Sequence, residues 1–172
     1  MRKRLLTITV LALGLTAQAD QRPNILFIMA DDLGWMDLAC QGNKLVETPN
    51  IDRLAKRGMR FTDFYAGSTV CAPSRCVLMT GLHTGHCFIR GNGKDNLRPE
   101  DVTVAEVLKR ADYATGQVGK WGLGHEGTTG LPTRQGVDFF YGYLDQHHAH
   151  LYYPTFLVKN EKRVKLRNIV PD

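Results

Sequence analysis

The chain of 172 residues carries 22 Lys and Arg against 17 Asp and Glu, a formal net charge of +5, with 43% hydrophobic residues. Such a composition excludes a disordered or collagen-like chain and allows one domain with a real core. Three of the surplus positive charges are Arg2, Lys3 and Arg4; the near-neutral remainder gives no argument for a nucleic-acid partner and is compatible with an anionic substrate.

Residues 1–19 read as a secretory signal. Arg2, Lys3 and Arg4 form the basic start, and Leu5 to Leu15 is an apolar run too short to span a bilayer comfortably. Ala17-Gln18-Ala19 is a small-x-small cleavage site before Asp20. The expected product is exported, periplasmic or secreted, with no transmembrane segment after cleavage; an uncleaved N-terminal anchor is the alternative. Cys40, Cys71, Cys76 and Cys87 could form two disulfides in that setting and match no C-x-x-C zinc spacing.

Asn24 to Ala30 is a continuous apolar run with Ile25 and Ile28 β-branched, which predicts a central parallel strand. Asp31-Asp32-Leu33-Gly34 follows. If the chain turns there, with Gly34 permitting the turn, both carboxylates can serve one site, and a hard divalent cation would relieve their repulsion. A plain turn or helix cap built from two Asp is the competing reading. Thr48-Pro49-Asn50 opens a helix that places Ile51, Leu54 and Ala55 on one face and ends at Gly58. Arg60 to Tyr65 alternates and predicts a strand leading toward Cys71.

Cys71-Ala72-Pro73-Ser74-Arg75 begins a helix, with Pro73 suited to its first position. Cys71 and Ala72 then lie at the mouth, where free N–H groups and the positive dipole end favour a thiolate or an anion. Arg75 is four residues on; if the helix starts early enough it shares the cysteine's face. Pairing of Cys71 with nearby Cys76 is the rival reading. His83, His86 and Cys87 read as a loop wall and Gly91-Asn92-Gly93 as a turn.

Thr103 to Glu106 is a capping box opening a helix with Val104, Val107, Leu108 and Ala111 on one face. Ala114 to Val118 predicts a short strand, and Lys120 falls just past its carboxyl end, where open α/β sheets place ligands. Phe156 to Val158 and Val164 to Leu166 predict a hairpin around Lys159 to Arg163.

Four of these stretches resemble type I sulfatases: Asp31-Asp32-Leu33-Gly34, Thr48 to Ala55, Cys71 to Gly81 (C-x-P-S-R then L-x-T-G), and Gly119 to Gly124. The resemblance runs from residue 22 to about 160. It implies an α/β, alkaline-phosphatase-like sandwich with a central, mostly parallel sheet. It also implies that residues 20–172 are the truncated N-terminal part of a longer catalytic domain, whose remaining metal ligands are an Asp-Asn pair unmatched after Lys120. By the same resemblance Cys71 is converted to formylglycine by a formylglycine-generating enzyme. Asp31 and Asp32 bind one Ca²⁺ together with the modified Cys71, and Arg75 and Lys120 contact the sulfate.

Two departures stand out. Leu82 replaces an arginine common in the family, and Gly122 stands where a histidine usually follows the lysine by two. A replacement acid is sought among His125, His147, His148 and His150; His150 is favoured because it leads into the Tyr152-Tyr153-Pro154 loop, against a solvated polar loop. The implied activity is hydrolysis of a sulfate ester of a glycan or small aryl molecule. The alternatives are a phosphomonoester or phosphonate hydrolase of the same superfamily, and an inactive fragment lacking the other metal ligands.

Overall fold

A computed structural model describes residues 22–168. The expected signal over 1–19 lies outside the described residues. The backbone divides into two compact units, Met1–Gly34 and Trp35–Asp172, and each is taken by itself.

In the first unit, residues 22–30 form neither helix nor strand, so the predicted strand over 24–30 is corrected. Leu26 is 85% exposed and Ile28 80%. A buried parallel strand needs hydrogen-bonded neighbours and cover on both faces; β-branched composition supplies neither. The chain bends at Asp31-Asp32 as anticipated, but the left-handed residue is Asp32, at φ 55°, and not Gly34. Aspartate tolerates that region better than most residues.

The second unit opens with a 3₁₀ turn, Ala39–Gln41, and helix α1, Pro49–Arg57. Gly58 closes α1 by donating to the Leu54 carbonyl at 2.9 Å. Thr48 has a different task from capping. Its hydroxyl accepts from Ala39 N–H at 3.0 Å and donates to Asp52 at 2.9 Å, tying helix to turn. Ile51 and Leu54 are exposed, so the predicted apolar stripe covers no core here. Residues 60–65 do not form the predicted strand; the chain bends at Thr62 and Asp63. The rings of Phe61 and Phe64 are 5.9 Å apart; a flat strand would send positions i and i+3 to opposite faces.

Helix α2 spans Cys71–Thr80 and ends at Gly81, whose φ of 67° permits the left-handed closure. It starts two residues earlier than Pro73 suggested. Proline is tolerated at the third position because the first four helical N–H groups lack intrahelical partners anyway. Helix α3, Val104–Arg110, carries the predicted capping box: Glu106 N–H donates to Thr103 Oγ1, and Thr103 N–H to the Glu106 carboxylate at 2.8 Å. Its buried residue is Ala105; Val104 and Val107 are exposed, opposite to the predicted face.

Four strands make one sheet in the order β1 (Gly116–Lys120), β2 (Phe139–Tyr143), β3 (Phe156–Lys159), β4 (Lys162–Lys165). β1 and β2 are parallel and the other two pairings antiparallel, so the sheet is mixed where a mostly parallel one was expected. β1 lies two residues later than predicted, which makes Lys120 its last residue. Gly142 pairs with Gly119. A Cβ at 142 would sit 1.8 Å from the Gly119 carbonyl oxygen, so this crossing requires glycine. The predicted β3–β4 hairpin forms, but β4 begins two residues earlier than expected, which leaves a turn of only Asn160 and Glu161. At its turn Asn160, with φ 56°, accepts Phe140 N–H on its side-chain oxygen at 2.9 Å, and its own N–H donates to the Phe140 carbonyl at 2.8 Å.

The core gathers Cys76 from α2, Cys87, Ile89 and Leu97 from the following loop, Trp121 and Leu123 after β1, and Phe140 and Val158 from the sheet. It therefore lies directly beneath α2 and the carboxyl end of β1. Trp121 is anchored by its indole N–H, which donates to the Gly130 carbonyl at 2.7 Å.

Candidate active site

Cys71 is the first residue of α2 and is partly buried; all four cysteines are unbridged, so the rival Cys71–Cys76 pairing is not formed. The mouth of α2 is more occupied than the sequence implied. Ala72 N–H donates to the Asn92 side-chain oxygen at 2.8 Å, and Pro73 has no N–H to offer. Asn92, read from sequence as part of a turn, thus caps the helix from twenty residues away.

Because α2 begins at Cys71, Arg75 occupies the same helix one turn on. Its side chain is buried, 7% exposed, and its Nη1 donates to the main-chain carbonyl of Lys120. The helix that carries the cysteine and the strand that carries the lysine are therefore joined through a guanidinium. Lys120 is half-buried at the carboxyl end of β1. The Arg75 guanidinium, a donor suited to an anion with several oxygens, thus sits against the main chain of the strand end that bears Lys120.

Past Lys120 the chain turns at Gly122, φ 76°. Here the structure supplies a reason for the glycine. Gln146, 6% exposed, donates from Nε2 to the Gly122 carbonyl at 3.0 Å, and a Cβ at 122 would lie 1.8 Å from that nitrogen. The Gln146 carboxamide fills the room a side chain at 122 would need. Neither Asn92 nor Gln146 belongs to a local motif, so only the pairing across the chain reveals them.

The four candidate histidines differ in their surroundings. His125 Nδ1 is 3.5 Å from the Asp145 carboxylate. His148 stacks on Phe156 at 4.3 Å and meets Tyr143 edge-on at 5.2 Å. His150 is exposed at the end of the 3₁₀ turn His148–His150, in edge-to-face contact with His147 at 6.3 Å. Burial alone would push the Asp145 carboxyl up. The N–H groups of His148 and His147 and the charges of His125 and His147 outweigh it and hold the carboxyl below its ordinary value. Asp145 is therefore a carboxylate that organises this turn.

Asp31 and Asp32 are exposed at the bend that closes the first unit. As donors they fit a hard cation, supplying two carboxylates of the six to eight oxygens Ca²⁺ takes. Among the described residues no group of three or more His, Cys, Asp or Glu is arranged to hold a metal.

A family profile described as Sulfatase matches residues 23–165, most of the chain. The chain belongs to the sulfatase family. It is 39% identical over 150 residues to N-acetylgalactosamine-6-sulfatase of Sus scrofa, covering 80% of this chain and 28% of that protein. Against arylsulfatase A of Homo sapiens it is 44% identical over 142 residues, covering 77% of this chain and 27% of the relative. Among solved structures, BT4656 in complex with its substrate D-glucosamine-2-N,6-O-disulfate superposes with a TM-score of 0.72 at 31% identity, over 85% of this chain and 28% of that one. The α/β, alkaline-phosphatase-like class expected from the sequence is thus the fold of this sulfatase chain. The chain spans little more than a quarter of the length of these relatives.

Proposed function

We propose that the chain contributes the nucleophile and sulfate-binding face of a sulfuric ester hydrolase acting on a sulfated glycan or a small aryl sulfate. The junction of Arg75 with the Lys120 carbonyl, on the helix headed by Cys71, carries this reading. Cys71, oxidised to formylglycine by a formylglycine-generating enzyme, would supply the attacking oxygen. Asp31 and Asp32 would hold Ca²⁺, which lowers the pKa of a bound nucleophile and polarises a sulfuryl oxygen.

The chain's own residues do the rest. Arg75 is held by its bond to the carbonyl at the end of β1. Lys120 brings a second positive charge from the strand end, and both neutralise sulfuryl oxygens as charge develops. His150, exposed at the end of the 3₁₀ turn His148–His150, would protonate the leaving alcohol. Export is proposed from the basic start, apolar run and Ala17-Gln18-Ala19. Among the described residues no helix is long and apolar enough to cross a membrane.

The relatives' names favour sulfated amino sugars and aryl sulfates as test substrates. The complete gene product, co-expressed with a formylglycine-generating enzyme, should hydrolyse p-nitrophenyl sulfate or a 6-sulfated N-acetylhexosamine. The Cys71 peptide should carry the aldehyde mass. Equal turnover of p-nitrophenyl phosphate would transfer the reading to a phosphomonoester hydrolase, and an alkylatable thiol at 71 in every active molecule would refute it. His150→Ala should cut turnover of the sugar sulfate ~10²–10⁴-fold and spare the aryl ester, whose phenolate leaves without a proton.

A further inference from the structure

The β3–β4 hairpin and its continuation carry an excess of positive charge that the fold does not neutralise. Within the nine residues 159–167 stand Lys159, Lys162, Arg163, Lys165 and Arg167, against the single carboxylate of Glu161. All five cations are exposed. Glu161 is engaged elsewhere, accepting from the Thr133 hydroxyl at 2.9 Å and pairing with Arg134 at 3.5 Å. Of the five, only Arg163 has an ion pair among the described residues, with Glu126 at 2.6 Å. Lys159 lies over the Phe139 ring at 5.9 Å and directly opposite Lys162 in the ladder, a like-charge pairing that costs stability. Lys162, Lys165 and Arg167 meet no carboxylate among the described residues.

This basic stretch is ordered and adjoins the histidine turn. The Arg163 guanidinium lies 4.4 Å over the Phe156 ring, and His148, which opens the turn ending at His150, stacks on the same ring at 4.3 Å. Beyond β4 the chain runs back beside the residues that precede β3. Leu166 N–H donates to the Thr155 carbonyl at 2.8 Å, and the Asn168 side chain to the Pro154 carbonyl at 2.9 Å. Arg167 is thereby held next to the loop in which Tyr152 and Tyr153 are 90% and 72% exposed.

We propose that this surface holds a sulfated polysaccharide, the polymer to which the cleaved sulfate ester belongs. Lys162, Lys165 and Arg167 take sulfate groups of sugars beyond the one being cleaved, and Tyr152 and Tyr153 take sugar faces. Charge complementarity selects a polyanion. The tyrosines select a sugar, since an exposed phenol offers an apolar face and a hydroxyl to a ring built the same way. The inference rests on the sulfated-glycan reading above and narrows it, replacing a small aryl ester by a polymer as the natural substrate. Exposed cations of this kind hold and steer a chain without touching the reacting atoms. They therefore act on KM, are screened by salt and leave kcat alone.

The complete gene product carrying Cys71→Ala, so that nothing is cleaved, is titrated with chondroitin 6-sulfate, heparin, ι-carrageenan and single-stranded oligothymidylate. At least one sulfated polymer should bind, more tightly than the oligonucleotide. Replacing Lys162, Lys165 and Arg167 together by Gln should weaken that binding at least ~10-fold and flatten its salt dependence, with the melting temperature unchanged. Lys162→Arg with Lys165→Arg and Arg167→Lys should restore it. With Cys71 intact and modified, the Gln variant should raise KM for the polymer and leave turnover of p-nitrophenyl sulfate at the parent's level. Binding of none of the three polymers, equal binding of the oligonucleotide, or a triple variant within ~2-fold of the parent overturns the proposal. The two readings fail separately. An enzyme without sulfatase activity whose polymer binding still depends on the three cations refutes the catalytic reading alone. A fully active enzyme whose polymer binding ignores them refutes this surface alone.

Discussion

Arg75 and Lys120, 45 residues apart in sequence, are joined side chain to main chain: the Arg75 guanidinium donates to the Lys120 carbonyl. A carbonyl survives any substitution of its own side chain. Lys120→Ala should therefore keep Arg75 seated and the fold intact, while reducing turnover of any sulfate ester ~10²–10³-fold. Arg75→Ala should also destabilise the protein, by about 1.5–3 kcal/mol, the range for a hydrogen bond involving a charged group. Urea denaturation run beside kinetics checks the split. Equal destabilisation by both variants would contradict it.

Gly122 and Gln146 should behave as one unit. Gly122→Ala puts a Cβ 1.8 Å from Gln146 Nε2 at φ 76°, and a non-glycine residue there costs about 1–3 kcal/mol before the clash is counted. Adding Gln146→Ala should recover the clash and leave the backbone cost, giving a coupling of about 0.5–3 kcal/mol in a double-mutant cycle. Additive effects would show that the carboxamide does not occupy this space.

Asn92→Ala removes the acceptor for Ala72 N–H and should cost about 0.5–2 kcal/mol, the range for a lost helix cap. Asn92→Asp keeps an acceptor oxygen and should remain near wild type. Urea midpoints of the two variants check this, and an aspartate variant as unstable as the alanine one would shift the role to the amide nitrogen.

Asp138 gives the fold an acid dependence. Lys109 Nζ, 2.6 Å away, together with the Thr115 N–H and hydroxyl, holds this carboxyl down at about 2. An unfolded aspartate titrates near ~3.9. The folded state thus binds its proton less readily, and the contribution to stability is full above pH ~4 and lost as pH falls toward 2. Asp138→Asn should lower the melting temperature at pH 7, and the gap to wild type should close on acidification. A gap that widens toward pH 2 would reverse the sign.

Features encoded within a few residues were legible in the sequence. The Thr103–Glu106 capping box, the Thr48-Pro49 start with its Gly58 stop, and the hairpin over 156–166 need only local chemistry. So do Cys71 and Arg75, one helical turn apart. Strands failed where pairing decides the outcome. Residues 24–30 and 60–65 have strand composition and no ladder, whereas β1 is shifted because Gly119 and Lys120 gain partners in β2. Asn92 and Gln146 were illegible for the same reason, since each acts across 20 or 24 residues. The departure at Gly122 was visible; its physical basis, a glutamine folded into the vacated volume, required the structure.

A strand that ends beside a longer neighbour leaves a donor and an acceptor pointing at open solvent, an invitation to a foreign chain. At Phe140 that invitation is already answered. Asn160 takes the Phe140 N–H on its carboxamide and returns its own N–H to the Phe140 carbonyl, so a turn residue impersonates one more rung of the ladder. At this corner the Phe140 N–H is thus met by one side chain and its carbonyl by the main chain of the turn, without a longer strand. Asparagine suits the post twice over, since it accepts the left-handed backbone of the turn and carries the needed oxygen on a short stem.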